Sequence, residues 1–171
     1  MPDFNADLTA CESDVWKTCV RILGDEEEAR ECFQQTYLDA LQIEPRTVRS
    51  WPALLSRIAT RRAMDLLRRK YRDRQMMPTL AVEPQQQDPP DANLRYQELR
   101  VGIRRALAGL PARQAEAFWL RHIEDWTPEE IGRELEIEPG NVRVLVHRAI
   151  GHLRHTLRPE SVELLTQPDD R

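Results

Sequence analysis

Apolar residues recur at helical spacing through nearly the whole chain, and the pattern is broken decisively only once. Between Arg74 and Asn93 the sequence turns to MMPTLAVEPQQQDPPDA, with four prolines, three consecutive Gln and no sustained period. Such a stretch reads as a flexible linker, because proline removes the backbone donor that a helix needs and polar tracts have nothing to bury. The chain is therefore expected to be all-α, with two small helical domains joined by that linker. The expected bounds are 1–74, a linker over 75–92, a second domain over 93–158 and a tail over 159–171. Only 6 glycines and 6% aromatic residues agree with a helical rather than a β-rich fold.

Within the first domain a helix is expected from Asp14 to Leu23, with Val15, Cys19, Ile22 and Leu23 inward. Gly24 stops it and Asp25 caps the next. The second helix should run to about Leu41, turning Ala29, Cys32, Phe33, Tyr37, Ala40 and Leu41 inward. Ser50 should cap a third helix that carries Pro52 in its first turn and reaches about Arg72, packing through Trp51, Leu55, Ile58, Ala59 and Leu66. In the second domain, helices are expected over 93–108 and 111–123, over 127–136, and from Pro139 onward. Cys11, Cys19 and Cys32 form no CxxC pair, so they read as packing thiols, and redox sensing is the alternative.

The net charge of −4 conceals a strong polarity along the chain. Residues 1–45 carry eleven acids against Lys17, Arg21 and Arg30, whereas 46–74 carry nine Arg and one Lys against Asp65 and Asp73. A second basic tract, from Pro139 to Pro159, contains four Arg, three His and no acid. Two basic surfaces in an otherwise acidic chain point to two phosphate-facing regions.

The segment TPEEIGRELEIEPGNVRVLVHRAIGHLR has the geometry of a helix-turn-helix. Thr127 and Glu130 make a capping box, Ile131 and Leu135 face inward, and Ile137 plugs the turn. On the following helix Val142, Val146, Ala149, Leu153 and Leu157 share one side. Asn141, Arg143, Val144, His147, Arg148 and Arg154 face outward, a surface suited to a major groove. The alternative, a solvated basic face, would ordinarily mix signs. His122, His147, His152 and His155 could suggest a metal site, but no carboxylate lies at ligand spacing near the last three, so neither a metal site nor a cofactor is expected.

On the third helix Arg57, Arg61, Arg68 and Arg72 form a strip that could follow a nucleic-acid backbone. Arg46 and Arg49 lie in the loop before it. Trp51, where loop becomes helix, could stack on an unpaired base, or could anchor the helix entrance in the core. Arg62 falls on the apolar side and should snorkel or pair with an acid of the second helix. On the second helix, Glu31, Gln34, Gln35 and Leu38 face outward and suit either a protein partner or plain solvent. No nucleophile with its base and no Gly-rich phosphate loop is present, so catalysis is not expected. With no signal-peptide pattern and no long apolar run, the chain is expected to be cytoplasmic, without membrane insertion.

These residues resemble the extracytoplasmic-function class of the sigma-70 family. LPARQAEAFWLRHIEDWTPEEIG through NVRVLVHRAIGHLR is similar to that family's region 4, on Leu110, Pro111, Arg113, Phe118, Leu120, Arg121, Glu129, Glu130, Ile131, Gly140, Val142, His147, Arg148, Ala149, Leu153 and Arg154. ARECFQQTYLDAL resembles region 2.2, and LLSRIATRRAMDLLRR resembles regions 2.3 to 2.4. Arg61 stands where Asn is common and Leu145 where Arg is common. The resemblance implies an all-helical alternative sigma factor without enzymatic activity. Region 2 would dock on the β′ clamp helices of RNA polymerase core and open the minus-ten element of promoter DNA. Region 4 would read the minus-thirty-five element and touch the β flap, and a separate anti-sigma factor is implied as regulator. No segment signals self-inhibition. A helix-turn-helix regulator acting without polymerase core would leave the Arg strip of the third helix without a role. An adaptor that mimics a sigma factor to sequester an anti-sigma protein would not need either basic face.

Overall fold

A computed structural model describes residues 9–76 and 94–157, with side chains from residue 99 onward in the second stretch, and their regular structure is entirely helical. Helix α1 spans Glu12–Leu23, α2 spans Glu26–Ala40, a single 3-10 turn covers Pro45–Thr47, and α3 spans Trp51–Met76. The second module contains α4 (Leu94–Ala108), α5 (Ala112–His122), α6 (Pro128–Leu135) and α7 (Pro139–Thr156). Almost all of the expected linker and the whole of the expected tail lie outside the described residues. Helix α3 continues one turn past its expected end at Arg72, because no residue before Pro78 interrupts it.

The local signals act as their chemistry dictates. Gly24 ends α1 at φ 70°, in the left-handed region, and its N–H donates to the Val20 carbonyl at 2.8 Å. The Asp25 carboxylate then accepts from the N–H groups of Glu27 and Glu28, each at 3.0 Å. Val15, Cys19, Ile22 and Leu23 are buried, as are Ala29, Cys32 and Ala40 of α2. Leu41 is a correction: it is the C-cap of α2 and 54% exposed, because the chain leaves the helix there and carries the residue off the inward stripe. Thr36 is buried on that stripe instead, its hydroxyl satisfied by donating to the Cys32 carbonyl at 2.8 Å. All three cysteines are free and buried, and the Cys19 thiol is pushed far up by its hydrogen bond with Cys32 and by burial. The same hydrogen bond with Cys19 pulls the Cys32 thiol down, and all three buried thiols lie in the packed interior.

Helix α3, roughly 39 Å long at 1.5 Å per residue, is the spine of the molecule. One side buries Leu55, Ala59, Ala63, Met64 and Leu67, and the helix packs against α1 and α2. Arg62 pairs with Asp39 of α2 through both carboxylate oxygens, as its position on the apolar side required, and Lys70 reaches Glu28 at 2.7 Å.

In the second module Thr127 caps α6 through a complete capping box with Glu130. The helix closes on Glu136, which takes φ 54°, and Ile137 N–H donates to the Gly132 carbonyl at 2.9 Å. A Cβ on Gly132 would lie 2.7 Å from the Ile137 carbonyl oxygen, so the tight turn between α6 and α7 requires glycine there. Ala117, Leu120, Ile131, Leu135 and Val142 form a small core beneath this turn, with Ile137 packed against it. The larger apolar cluster crosses between modules. It runs from Cys11 and Leu55 to Leu107, Leu110, Phe118 and Leu153, and α3 packs directly against α4 and α5. Two modules expected to be tethered only by a flexible linker thus share one core.

Candidate nucleic-acid and protein interfaces

Helix α7 presents the expected outward face. Asn141, Arg143, Val144, His147, Arg148 and Arg154 are all exposed, while Val142, Ala149 and Leu153 are buried. Val146 and Leu157 are only half-buried, with Val146 lying against the small core. Val144 is 46% exposed, an apolar contact surrounded by cations. Arg143 lies 3.0 Å from Glu129 of α6, and both side chains are more than half exposed. A pair so solvated is worth about 0–1 kcal/mol and yields readily to a phosphate or base edge. Position, exposure and the acid-free helix make this face chemically fit for duplex DNA.

The Arg strip of α3 is only partly open. Arg46 and Arg49 are exposed on the loop, and Arg61 and Arg72 are exposed on the helix. Arg57, however, faces the second module, 3.8 Å from Glu116 of α5 and 3.8 Å from Glu134 of α6. Arg68 bonds Asp65 at 2.7 Å and donates from Nε to the Leu110 carbonyl at 3.3 Å. Trp51 is 9% exposed and belongs to the large apolar cluster. In this arrangement the ring is packed among helices, which accords with its role as core anchor.

On α2, Glu31 and Gln34 are exposed, Gln35 is half-buried, and Leu38 is 51% exposed. Leu41 extends the patch, and Trp16, Phe33 and Tyr37 stand half-buried as an aromatic cluster, with ring centroids 6.0 and 4.9 Å apart. Gln34, Gln35 and Leu38 form an uncharged strip, and with the exposed Leu41 it is suited to a protein partner. Among the described residues, no group of three or more His, Cys, Asp or Glu is placed to hold a metal ion. No helix among them is long and apolar enough to cross a membrane.

Several residues that organise these surfaces carry weak sequence signals. Glu116 is 7% exposed; burial pushes its carboxyl above the usual range, while Arg57, Arg61 and Arg113 pull it back. Thr18 of α1 donates to Glu124 at 2.9 Å, and Glu124 also accepts from the Trp119 indole at 3.1 Å. Arg104 is 9% exposed and donates to the Ile22 carbonyl near the end of α1 at 3.1 Å. One signal was present: in AEAFWL, residues 115–120, every residue but Glu116 is apolar, and a helix turn so nearly apolar around its circumference must be covered on both flanks.

Comparison with known proteins accords with this geometry. Residues 8–73 match the family described as Sigma-70 region 2, and residues 100–153 match Sigma-70, region 4. The chain is 29% identical over 170 residues to the ECF RNA polymerase sigma factor SigE of Mycolicibacterium smegmatis, covering 95% of this chain and 65% of that protein. It therefore spans about two thirds of that relative. To SigW of Bacillus subtilis it is 29% identical, over 91% of this chain and 90% of the relative. To the sigma factor ShbA of Streptomyces griseus it is 32% identical, over 78% and 74% respectively. A similar fold occurs in the sigma factor RpoE of Bartonella quintana, solved in complex with the anti-sigma factor NepR, at a TM-score of 0.59 and 20% identity, covering 94% of this chain and 99% of that one.

Proposed function

The chain belongs to the extracytoplasmic-function class of the sigma-70 family, and from that premise we propose that it acts as an alternative sigma factor, binding RNA polymerase core and directing initiation at promoters of its own. The observation that carries this reading is the exposed, acid-free face of α7 behind a correctly capped helix-turn-helix, in a chain whose other module matches region 2. Residues 1–74 act as the region 2 domain and 93–158 as the region 4 domain. Asn141, Arg143, Val144, His147, Arg148 and Arg154 contact the upstream element. Arg46, Arg49, Arg57, Arg61, Arg68 and Arg72 follow the start-proximal DNA. Glu31, Gln34, Gln35 and Leu38 meet the polymerase clamp, and region 4 meets the β flap. The chain works in the cytoplasm, where polymerase and promoter are, and a separate anti-sigma protein restrains it.

Run-off transcription with purified core polymerase on a panel of candidate promoters tests this reading. Promoter-dependent transcripts that appear only when the chain is added are expected. Duplex binding by the chain alone, with no transcript from any template, would favour a polymerase-independent regulator. The polymerase contact has its own test. Gln34→Glu combined with Leu38→Glu places two charges on an apolar-centred surface without touching the core, so co-purification with core polymerase should fall about tenfold or more while the melting temperature stays near wild type. Undiminished binding would remove α2 from the interface.

A further inference from the structure

Val144 is the apolar exception on the polar, cationic face of α7. Its neighbours in sequence, Leu145 and Val146, pack against the small core beneath the helix-turn-helix, but among the described residues Val144 joins neither apolar cluster and is 46% exposed. The other large apolar side chains exposed there belong elsewhere, Leu38 and Leu41 to the α2 patch and Met76 to the last turn of α3. At helical spacing Val144 lies between Gly140, one turn before it, and Arg148, one turn after it. A Cβ built on Gly140 would meet nothing within 4 Å. The strip ahead of Val144 is therefore bare backbone, and a surface can approach α7 there until it touches a side chain as short as valine. The longer Arg143 and Arg148, both exposed, flank that contact.

A valine on a base edge has neither donor nor acceptor to offer. Against an adenine or cytosine amino group, or a guanine carbonyl, it removes water and returns no hydrogen bond, which costs affinity. A C5-methyl group is the feature of the major-groove edge that gains from it. We propose that Val144 makes this chain a reader of a pyrimidine C5-methyl group, carried by thymine or by 5-methylcytosine, within the upstream element. The inference rests on the reading of α7 as the duplex-recognition helix and adds the base chemistry at one position. Residues four apart on a helix are separated by about 6 Å along its axis, and successive base pairs by about 3.4 Å. The methyl group therefore lies within a few base pairs of the base that Arg148 meets. Such a contact also couples promoter choice to DNA modification, because cytosine methylated at C5 presents the same group in the groove and gains affinity where unmodified cytosine does not.

Selection from a randomised duplex library, with the complex of the chain and core polymerase and with the free chain alongside, supplies the probe. The position read by Val144 is the one at which Val144→Ala relaxes base preference. At that position the wild-type chain should bind thymine about fourfold more tightly than uracil, the gain from burying one methyl group. It should prefer 5-methylcytosine to cytosine by a similar factor. A response to thymine alone assigns the contact to thymine, and a response in both arms extends it to methylated DNA. Val144→Ala should bring both ratios to about one while Val144→Ile keeps them, which separates direct contact from the effect of the methyl group on DNA stiffness. Thymine and uracil bound equally at every selected position overturn the inference, and so does discrimination that survives in Val144→Ala. If Arg143→Ala with Arg148→Ala still weakens binding in those cases, α7 stands as the recognition helix and only the methyl contact falls. If that double variant binds like wild type, or selection yields no consensus, the reading of α7 falls and takes the inference with it.

Discussion

Arg143→Ala together with Arg148→Ala should lower affinity for an upstream promoter duplex by at least about thirtyfold while leaving the fold intact. Both side chains stand on the outer face of α7, whereas the residues that hold the helix, Val142, Ala149 and Leu153, are on the opposite side and unaffected. An arginine reading a guanine edge contributes about 1–3 kcal/mol of discrimination, and two losses of about 1 kcal/mol each already give that factor. The Arg143–Glu129 pair is too exposed to stabilise the native state appreciably. Titration at several salt concentrations distinguishes the roles. Phosphate contacts reduce the salt slope by about one per residue, whereas base contacts leave it and relax sequence preference. Unchanged affinity in the double variant would remove α7 from recognition.

Trp51→Ala is expected to destabilise the protein by about 3–5 kcal/mol, the cost of emptying a large buried site. The indole is 9% exposed at the entrance of α3, inside the cluster that both modules share. Against the roughly 5–15 kcal/mol that holds an ordinary domain together, such a loss leaves a marginal fold. Trp51→Phe, which retains most of the volume, should cost much less. Denaturant unfolding monitored by circular dichroism gives both values. The contrary result would be a Trp51→Ala protein of nearly wild-type stability that forms closed promoter complexes but fails to open DNA by permanganate footprinting. In that case the ring stacks on a base, and the packing seen here is a resting position.

Most of the architecture was legible because it depends on local chemistry. The capping box of Thr127 and Glu130, the Gly24 stop and the Asp25 cap all satisfy backbone groups of their own helices, so neighbouring residues suffice to place them. The outward face of α7 could be read for the same reason, since one helical period assigns both sides once the buried stripe is known. Arg62 was expected to snorkel or to pair with an acid of α2, and the structure selects the pair, with Asp39. Leu41 was misplaced because periodicity carries no information on where the chain leaves the helix. For Trp51, both roles use the same position and residue type.

By itself the sequence determined that the chain is helical, that it has two modules, most of the buried side of five of its helices, and that two regions are cationic. Periodicity, caps and charge are properties of neighbouring residues, and their free energies are largely settled within a few turns. Only the tertiary structure decided where the cations point. Arg57 and Arg61, four residues apart on one helix, differ because Glu116 and Glu134, some sixty to eighty residues away in sequence, stand against the first while the second remains exposed. Contacts between modules depend on how two finished surfaces fit, and no local period encodes that fit; whether an arginine faces DNA, solvent or a buried carboxylate is decided there.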